Sequence, residues 1–377
     1  MSLHADATDR PSTDPVRPDA GTASLPESAQ VAVFDSPNGP FRLARYPLRA
    51  PRPDEALVRV RMSTICRSDI HSYQGHRPSP CPGLLGHEII GTLVALGAAV
   101  QRDMRDAPLA VGDRITWSEY FVPGRSHLRE VLDLPHKAPG VDKYGHLSSE
   151  TPPHHHGGFG EYCYIQPDSW ILRLPDALSD EEAVPINCGV ATLCAVIEAA
   201  QIEFGHTVVI QGLGLLGLYG AAMAKARGAA RVIGIDSVAS RRALALRFGV
   251  DTAFPPESAQ TAAQGADVVI EVCGQADAIR SGIDWLRIGG RYVIAGVVNP
   301  ASMVNLDANL ILRKCLTLTG VHNYHPRHLI QALEFIMANR DRYAFGELVD
   351  GHYALAEVGQ AMADAASHRV LRAAIVP

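Results

Sequence analysis

The chain has 377 residues, of which 47% are hydrophobic and 20% charged, with a formal net charge of −6. That profile fits a globular enzyme long enough for two domains with their own cores. So mild an acidic balance gives no electrostatic case for nucleic acid. No apolar run reaches the roughly 18–20 residues that cross a bilayer, so neither nucleic acid nor a membrane is expected as a partner. Seven cysteines at 66, 81, 163, 188, 194, 273 and 315 form no tight framework. They point to metal or thiol roles in a reducing cytoplasm rather than to disulfides.

Residues 1–29 are rich in Asp, Pro, Ala, Ser and Thr and carry no pattern of a signal or transit peptide. They read as a disordered tail. From Val31 the texture is short strands and turns, with β-formers at Val31–Phe34, Ala56–Arg61 and Ile89–Val100 and a turn at Gly112-Asp113. Loop-like sequence runs from Trp117 to Gly158, long enough to suggest a functional lobe or lid. From about Asp180 helix and strand alternate. A helix is expected over Glu181–Ala200, then strand Thr207–Ile210, helix Leu215–Arg227, strand Arg231–Ile235 and a helix through Phe248. Strands follow at Asp267–Val272, Arg291–Ala295 and Leu316–Thr319, a helix at Arg327–Ala338, and a last strand at Arg372–Val376. Such alternation predicts an α/β fold with a doubly wound parallel sheet. The division expected is a β-rich domain over 30–180, completed by 326–377, and a dinucleotide-binding domain over 181–325.

Gly212-Leu-Gly214-Leu-Leu-Gly217 follows an apolar strand directly and opens a small-residue helix at Leu215. The glycines would permit a tight turn, close approach to a pyrophosphate, and helix-on-strand packing. The helix start offers free N–H groups to phosphate. Asp236, at the end of the next strand, is placed to accept ribose hydroxyls, which favours NAD. Arg241 and Arg242 nearby keep NADP open.

Cys66-Arg67-Ser68-Asp69-Ile70-His71 and Gly86-His87-Glu88 lie in the β-rich region, and Cys188 opens the second one. Taken together, Cys66, His87 and Cys188 read as three metal ligands that leave a fourth zinc position open, the arrangement of a catalytic site. Asp69 suits the ring N–H of His87, and Glu88 is a candidate occasional ligand.

These residues, with Gly112-Asp113-Arg114, Cys188-Gly-Val-Ala-Thr192 and the glycine motif, resemble the zinc-dependent medium-chain dehydrogenase/reductase family of alcohol and polyol dehydrogenases. The resemblance implies a Rossmann-type domain beside a GroES-like catalytic domain. It implies one catalytic Zn2+ on Cys66, His87 and Cys188, a proton relay through Ser68 and His71, and pyrophosphate contacts from Arg67 and Arg372. It also implies hydride transfer between an alcohol or carbonyl substrate and NAD(H), in a homo-oligomer (dimer or tetramer). Pro78–Gly83, Lys143-Tyr-Gly-His146 and Gly320–His328 are similar to the phosphonate-catabolism-associated alcohol dehydrogenase subgroup.

The sequence departs from many such relatives in having no cysteine between Trp117 and Gly158, so a second, structural zinc is not expected. His154-His155-His156 reads as a solvated loop. His322, His325, Arg327 and His328 read as a polar helix start, with a cradle for an anionic substrate group as the alternative. The remaining cysteines are expected to be packed thiols. Two rival functions stand beside the main reading: an enone reductase of the same fold, and a dinucleotide-binding sensor without turnover.

Overall fold

The computed structural model describes residues 25–298 and 302–377, so the expected tail lies outside the described residues up to residue 24. The first strand begins at Ser28, inside that expected tail, and runs to Phe34.

One sheet, mixed in direction, dominates the first half of the chain. Its strand order is Ile171–Arg173, Arg114–Trp117, Glu88–Leu96, Ala56–Thr64, Ala373–Val376 and Gly351–Ala354, with Tyr162–Ile165 pairing on Ala56–Thr64 as well. Val, Ile and Leu fill its central strands, and Val58, Ile89 and Leu93 are fully buried. Its register matters for chemistry. Thr64 pairs with Glu88 across two antiparallel strands. Cys66, two residues beyond one strand end, and His87, the residue just before the other start, therefore emerge at the same edge.

The second sheet is wholly parallel. Its strands run Thr252–Phe254, Arg231–Ile235, Thr207–Gln211, Ala266–Glu271, Leu286–Ile294 and Thr317–Gly320. Strands buried on both faces read as apolar runs, and Val208, Val209, Ile210, Val269 and Ile270 are fully buried. This order reverses direction between Thr207–Gln211 and Ala266–Glu271, which opens a crevice at the strands' carboxyl ends.

The segment between the sheets is not the continuous helix expected. It is a short α-helix at Asp180–Ala183, a π-turn at Ile186–Val190 and an α-helix at Ala191–Ala200. Ser179 and Glu182 close a reciprocal capping box at its start. Over Asp180–Ala200 it is long and apolar enough to cross a membrane by length and composition, but 78% of that window is buried inside the protein. Met62, Ile90 and Leu172 of the first sheet share one hydrophobic cluster with Ile186, Leu193, Ile210 and Leu218. The two halves are therefore joined by core.

Helix Arg327–Asn339 packs on Ala191–Ala200, whereas Gly351–Ala354 and Ala373–Val376 join the first sheet. The chain thus crosses back after Leu348, later than the 326 expected. The stretch from Trp117 to Gly158 also holds more structure than its composition suggested. Tyr120–Phe121 pairs with Asp142–Lys143, and a helical turn spans His127–Glu130.

The histidine run corrects another expectation. His155 and His156 are buried, and His154 stacks on Tyr46 with ring centroids 4.6 Å apart. The imidazoles serve as flat, half-apolar filler over the first sheet, and His156 Nε2 contacts the Thr151 carbonyl at 2.8 Å. Of the remaining cysteines, Cys163 and Cys194 are packed as expected, but Cys81 and Cys315 are exposed.

Candidate metal centre and coenzyme cleft

Cys66 caps the helix Arg67–Tyr73, and its backbone N–H donates to Asp69 Oδ2 at 2.8 Å. The other Asp69 oxygen receives Gly86 N–H at 3.1 Å and meets His87 Nδ1 at 3.1 Å. One buried carboxylate thus fixes the cysteine turn, the glycine turn and the imidazole. It also sets the tautomer, since Nδ1 bonded to Asp69 leaves His87 Nε2 free to face inward. From the opposite half, Cys188 arrives on the π-turn. Its neighbour Asn187 donates from Nδ2 to the carbonyls of His87 and Trp117, each at 3.0 Å. Ligand atoms of Cys66, His87, Glu88 and Cys188 all lie within 4.8 Å of one another.

The donor set fits a zinc ion. One hydrogen bond shared by the two cysteines holds the Cys66 thiol well below its ordinary value and pushes Cys188 well above it, so without a metal the pair keeps a proton on Cys188. A thiolate so prepared is the form that ligates metal. Glu88 Oε1 is buried with no hydrogen-bond partner among the described residues. Its other oxygen accepts from Thr64 and pairs with Arg372 Nη1 at 3.3 Å. Burial pushes the Glu88 carboxyl up to about 7, against the pull of Arg372.

Arg372 sits beside Glu88. It is buried, and its Nη1 donates to the Ile65 carbonyl at 2.7 Å besides meeting Glu88. Both contacts are made through Nη1, and Nε keeps no hydrogen-bond partner among the described residues. Arg67 is exposed. Burial lowers the pKa of His368, and the charges of Arg241 and Arg67 add to the effect while Asp236 opposes it.

Ser68 Oγ lies 3.2 Å from His87 Nε2, next to where a substrate oxygen would bind. His71 follows one turn later, half-buried, its Nδ1 without a partner. Burial lowers its pKa, and the Arg67 charge adds to the effect. No direct hydrogen bond joins Ser68 to His71 among the described residues, so a relay between them needs a bridging hydroxyl or water.

The glycine motif divides by role. Gly212 has φ +99°, and a Cβ there would sit 2.7 Å from the Cys273 backbone. A Cβ on Gly217 would sit 1.9 Å from the Gly212 carbonyl oxygen. Gly214, at the N-cap of helix Leu215–Ala226, faces open space. Two glycines shape the turn, and the third leaves room above a helix start for phosphate. Asp236 accepts Leu213 N–H and Val238 N–H, each at 2.8 Å. Arg241 stands 3.9 Å from it, while Arg242 donates to the Asp236 and Ser237 carbonyls.

The His322–His328 cluster does not form a cradle. His325 and Arg327 pair with Asp133 at 2.9 and 3.2 Å, and Arg327 and His328 pair with Glu198 at 2.8 and 3.0 Å. Only His322 departs from that set, meeting Lys137 across the cleft.

Sequence reasoning missed four residues at this centre: Asn187, Tyr324, Glu119 and Lys143. Tyr324 Oη donates to the Asn187 carbonyl and accepts Glu119 N–H at 3.1 Å. Lys143 Nζ lies 2.8 Å from Glu119 Oε2, which is 3.8 Å from His87 Nε2. The only local signal was a buried-looking Trp-Ser-Glu after a strand, which has no spacing rule attached.

This geometry meets the comparisons with known proteins. An alcohol dehydrogenase GroES-like domain matches residues 52–176, and a zinc-binding dehydrogenase domain matches 216–338. The chain is 32% identical over 321 residues to an erythritol/L-threitol dehydrogenase of Mycolicibacterium smegmatis, covering 79% of this chain and 84% of the relative. It is 28% identical to a 5-exo-hydroxycamphor dehydrogenase of Pseudomonas putida, covering 84% and 90%. The crystal structure of an alcohol dehydrogenase from Thermotoga maritima superposes with a TM-score of 0.88 at 26% identity, over 93% of this chain and 99% of that one. Fold and matches define an oxidoreductase built from a GroES-like domain and a Rossmann-type domain. The chain belongs to the zinc-binding alcohol dehydrogenase family of medium-chain dehydrogenases/reductases. The narrower likeness to the phosphonate-associated subgroup is not reached by these matches.

Proposed function

We propose that the protein transfers hydride between an alcohol, or its aldehyde or ketone, and NAD(H), at a single zinc held by Cys66, His87 and Cys188. The observation that carries this is the convergence of those three side chains with Ser68 Oγ 3.2 Å from the inward nitrogen of His87. Zinc would supply Lewis acidity toward the substrate oxygen, and the nicotinamide ring would supply or take the hydride.

The chain's own residues do the rest. Asp69 orients His87 and keeps its Nε2 free. Ser68 Oγ takes the hydroxyl proton on oxidation and returns it on reduction, and the unpartnered His71 Nδ1 receives it through a bridging group. Glu88 and Arg372 sit behind the ligands as a balanced pair, tuning the charge the thiolates present. Gly214 and the helix start at Leu215 hold the pyrophosphate. Asp236 keeps lone pairs for a ribose hydroxyl beyond its two backbone contacts, which supports NAD over NADP. The relatives' names point to secondary alcohols and polyols as the substrate range.

The test is reduction of NAD by zinc-loaded protein against a panel of primary, secondary and polyhydric alcohols. Alcohol-dependent reduction, with Ser68→Ala about 10²-fold slower in kcat, is the expected result. No reduction by any alcohol, with enone-dependent oxidation of reduced coenzyme instead, would move the reaction to a C=C bond.

A further inference from the structure

Beside the metal cluster lies a buried ion pair that no step above uses. The Glu119 side chain is 1% exposed and that of Lys143 15%, with 2.8 Å between Oε2 and Nζ. Buried pairs rarely repay their desolvation as stability, and charged groups sunk in a cleft are candidates for function.

The position of Glu119 is specific. It approaches His87 Nε2 at 3.8 Å and also contacts Cys188. It does not belong to the four-atom set formed by Cys66, His87, Glu88 and Cys188. Glu88 and Arg372 hold the rear of that set. Glu119 Oε2 and Ser68 Oγ instead both approach the inward nitrogen of His87, the side on which a substrate oxygen would bind. The Glu119 backbone is pinned by Tyr324 Oη, and the Tyr120 hydroxyl donates to the Tyr324 carbonyl at 2.8 Å. A carboxylate has about four acceptor sites, and its contacts with Lys143 and Cys188 do not fill them. An alkyl chain packed there would leave the rest unpaired, a strong ground for rejection.

We propose that Glu119, held by Lys143, is a specificity-determining residue that accepts a hydrogen bond from a second hydroxyl on the carbon beside the reacting one. The preferred substrates are then vicinal diols and longer polyols. This rests on the dehydrogenase reading above and names its substrate class.

The test compares butane-2,3-diol with 2-butanol on zinc-loaded, full-length protein, by kcat/KM and by calorimetric binding in the presence of coenzyme. Wild type should favour the diol by about tenfold to a hundredfold, the range of a charge-assisted hydrogen bond. In Glu119→Gln the ratio should collapse toward one in both measurements, with zinc content unchanged. Glu119→Leu/Lys143→Met, which replaces the whole pair by apolar groups, should invert it. Equal ratios in wild type and variants would overturn the proposal. So would zinc loss in Glu119→Gln, which would make the residue a ligand. Failure of the dehydrogenase reading would show as no turnover of either compound by wild type, and the calorimetric preference would still decide the role of Glu119.

Discussion

Asp69 holds three things at once: the Cys66 amide, the Gly86 amide and the His87 ring. Asp69→Asn should keep its size but lose the charge that fixes the imidazole. Zinc affinity, read by competition with a chelator, should fall about 10–100-fold. The glycines make a sharper pair of predictions. Gly217→Val drives a side chain into the Gly212 carbonyl, so the protein should lose thermal stability or fail to fold. Gly214→Val meets open space, so it should unfold near the wild-type temperature but bind NAD at least tenfold more weakly. Equal effects in the two variants would contradict the division of roles. Cys66, His87, Cys188 and Asp69 were legible in the sequence because each sits in a short motif whose spacing follows from a turn or a strand end. Glu119 and Lys143 were not, because 23 positions separate them and nothing but the fold brings them together. The contact of Arg372 with Glu88 follows only from the fold, since 284 positions separate the two residues.

At the scale of elements, the π-turn Ile186–Val190 is where the two halves are stitched. A continuous α-helix was the natural reading of so apolar a stretch, and hydrophobic periodicity cannot show a one-residue widening. The widening sits at the turn that carries Asn187 and Cys188, and its Asn187 side chain reaches back to two carbonyls of the other half. Asn187→Ala should leave those buried carbonyls unpaired and cost about 1–3 kcal/mol, measurable as a lower denaturant midpoint. Because Cys188 is its neighbour, zinc should also leave the variant faster. That the second sheet is parallel was readable from alternation alone, but its order was not, nor was its edge strand Thr252–Phe254. The antiparallel register that brings Cys66 beside His87 was not, since it depends on which strands pair.

Across the whole molecule, one hydrophobic cluster runs from the catalytic sheet into the parallel sheet, so unfolding should be a single cooperative event rather than two. Acid should bear on it through the histidine filler. Burial lowers the His155 pKa to about 4, whereas an unfolded histidine titrates near ~6.5. Between those values the unfolded chain binds a proton that the folded protein refuses. Stability should therefore be level above pH ~6.5 and fall as pH drops toward 4. His155→Gln removes that term, and its urea midpoint should change less between pH 7 and pH 5 than that of wild type. A parallel decline in the two proteins would assign acid sensitivity elsewhere. The sequence marked these histidines as unusual without locating them, because a polar run between Pro and Gly looks like a loop until Tyr46 and Tyr164 are seen packed against it.

The proposed metal centre joins these scales, since the side chains that would hold the ion come from both halves and their geometry from single residues. Zinc content per chain, measured on tag-free wild type and on Cys188→Ala, tests it most directly. The account expects about one zinc per chain in wild type, lost or much weakened in the variant while the protein stays folded. Wild type without zinc, or a variant that retains it fully, would contradict the assignment of Cys66, His87 and Cys188 as the catalytic site.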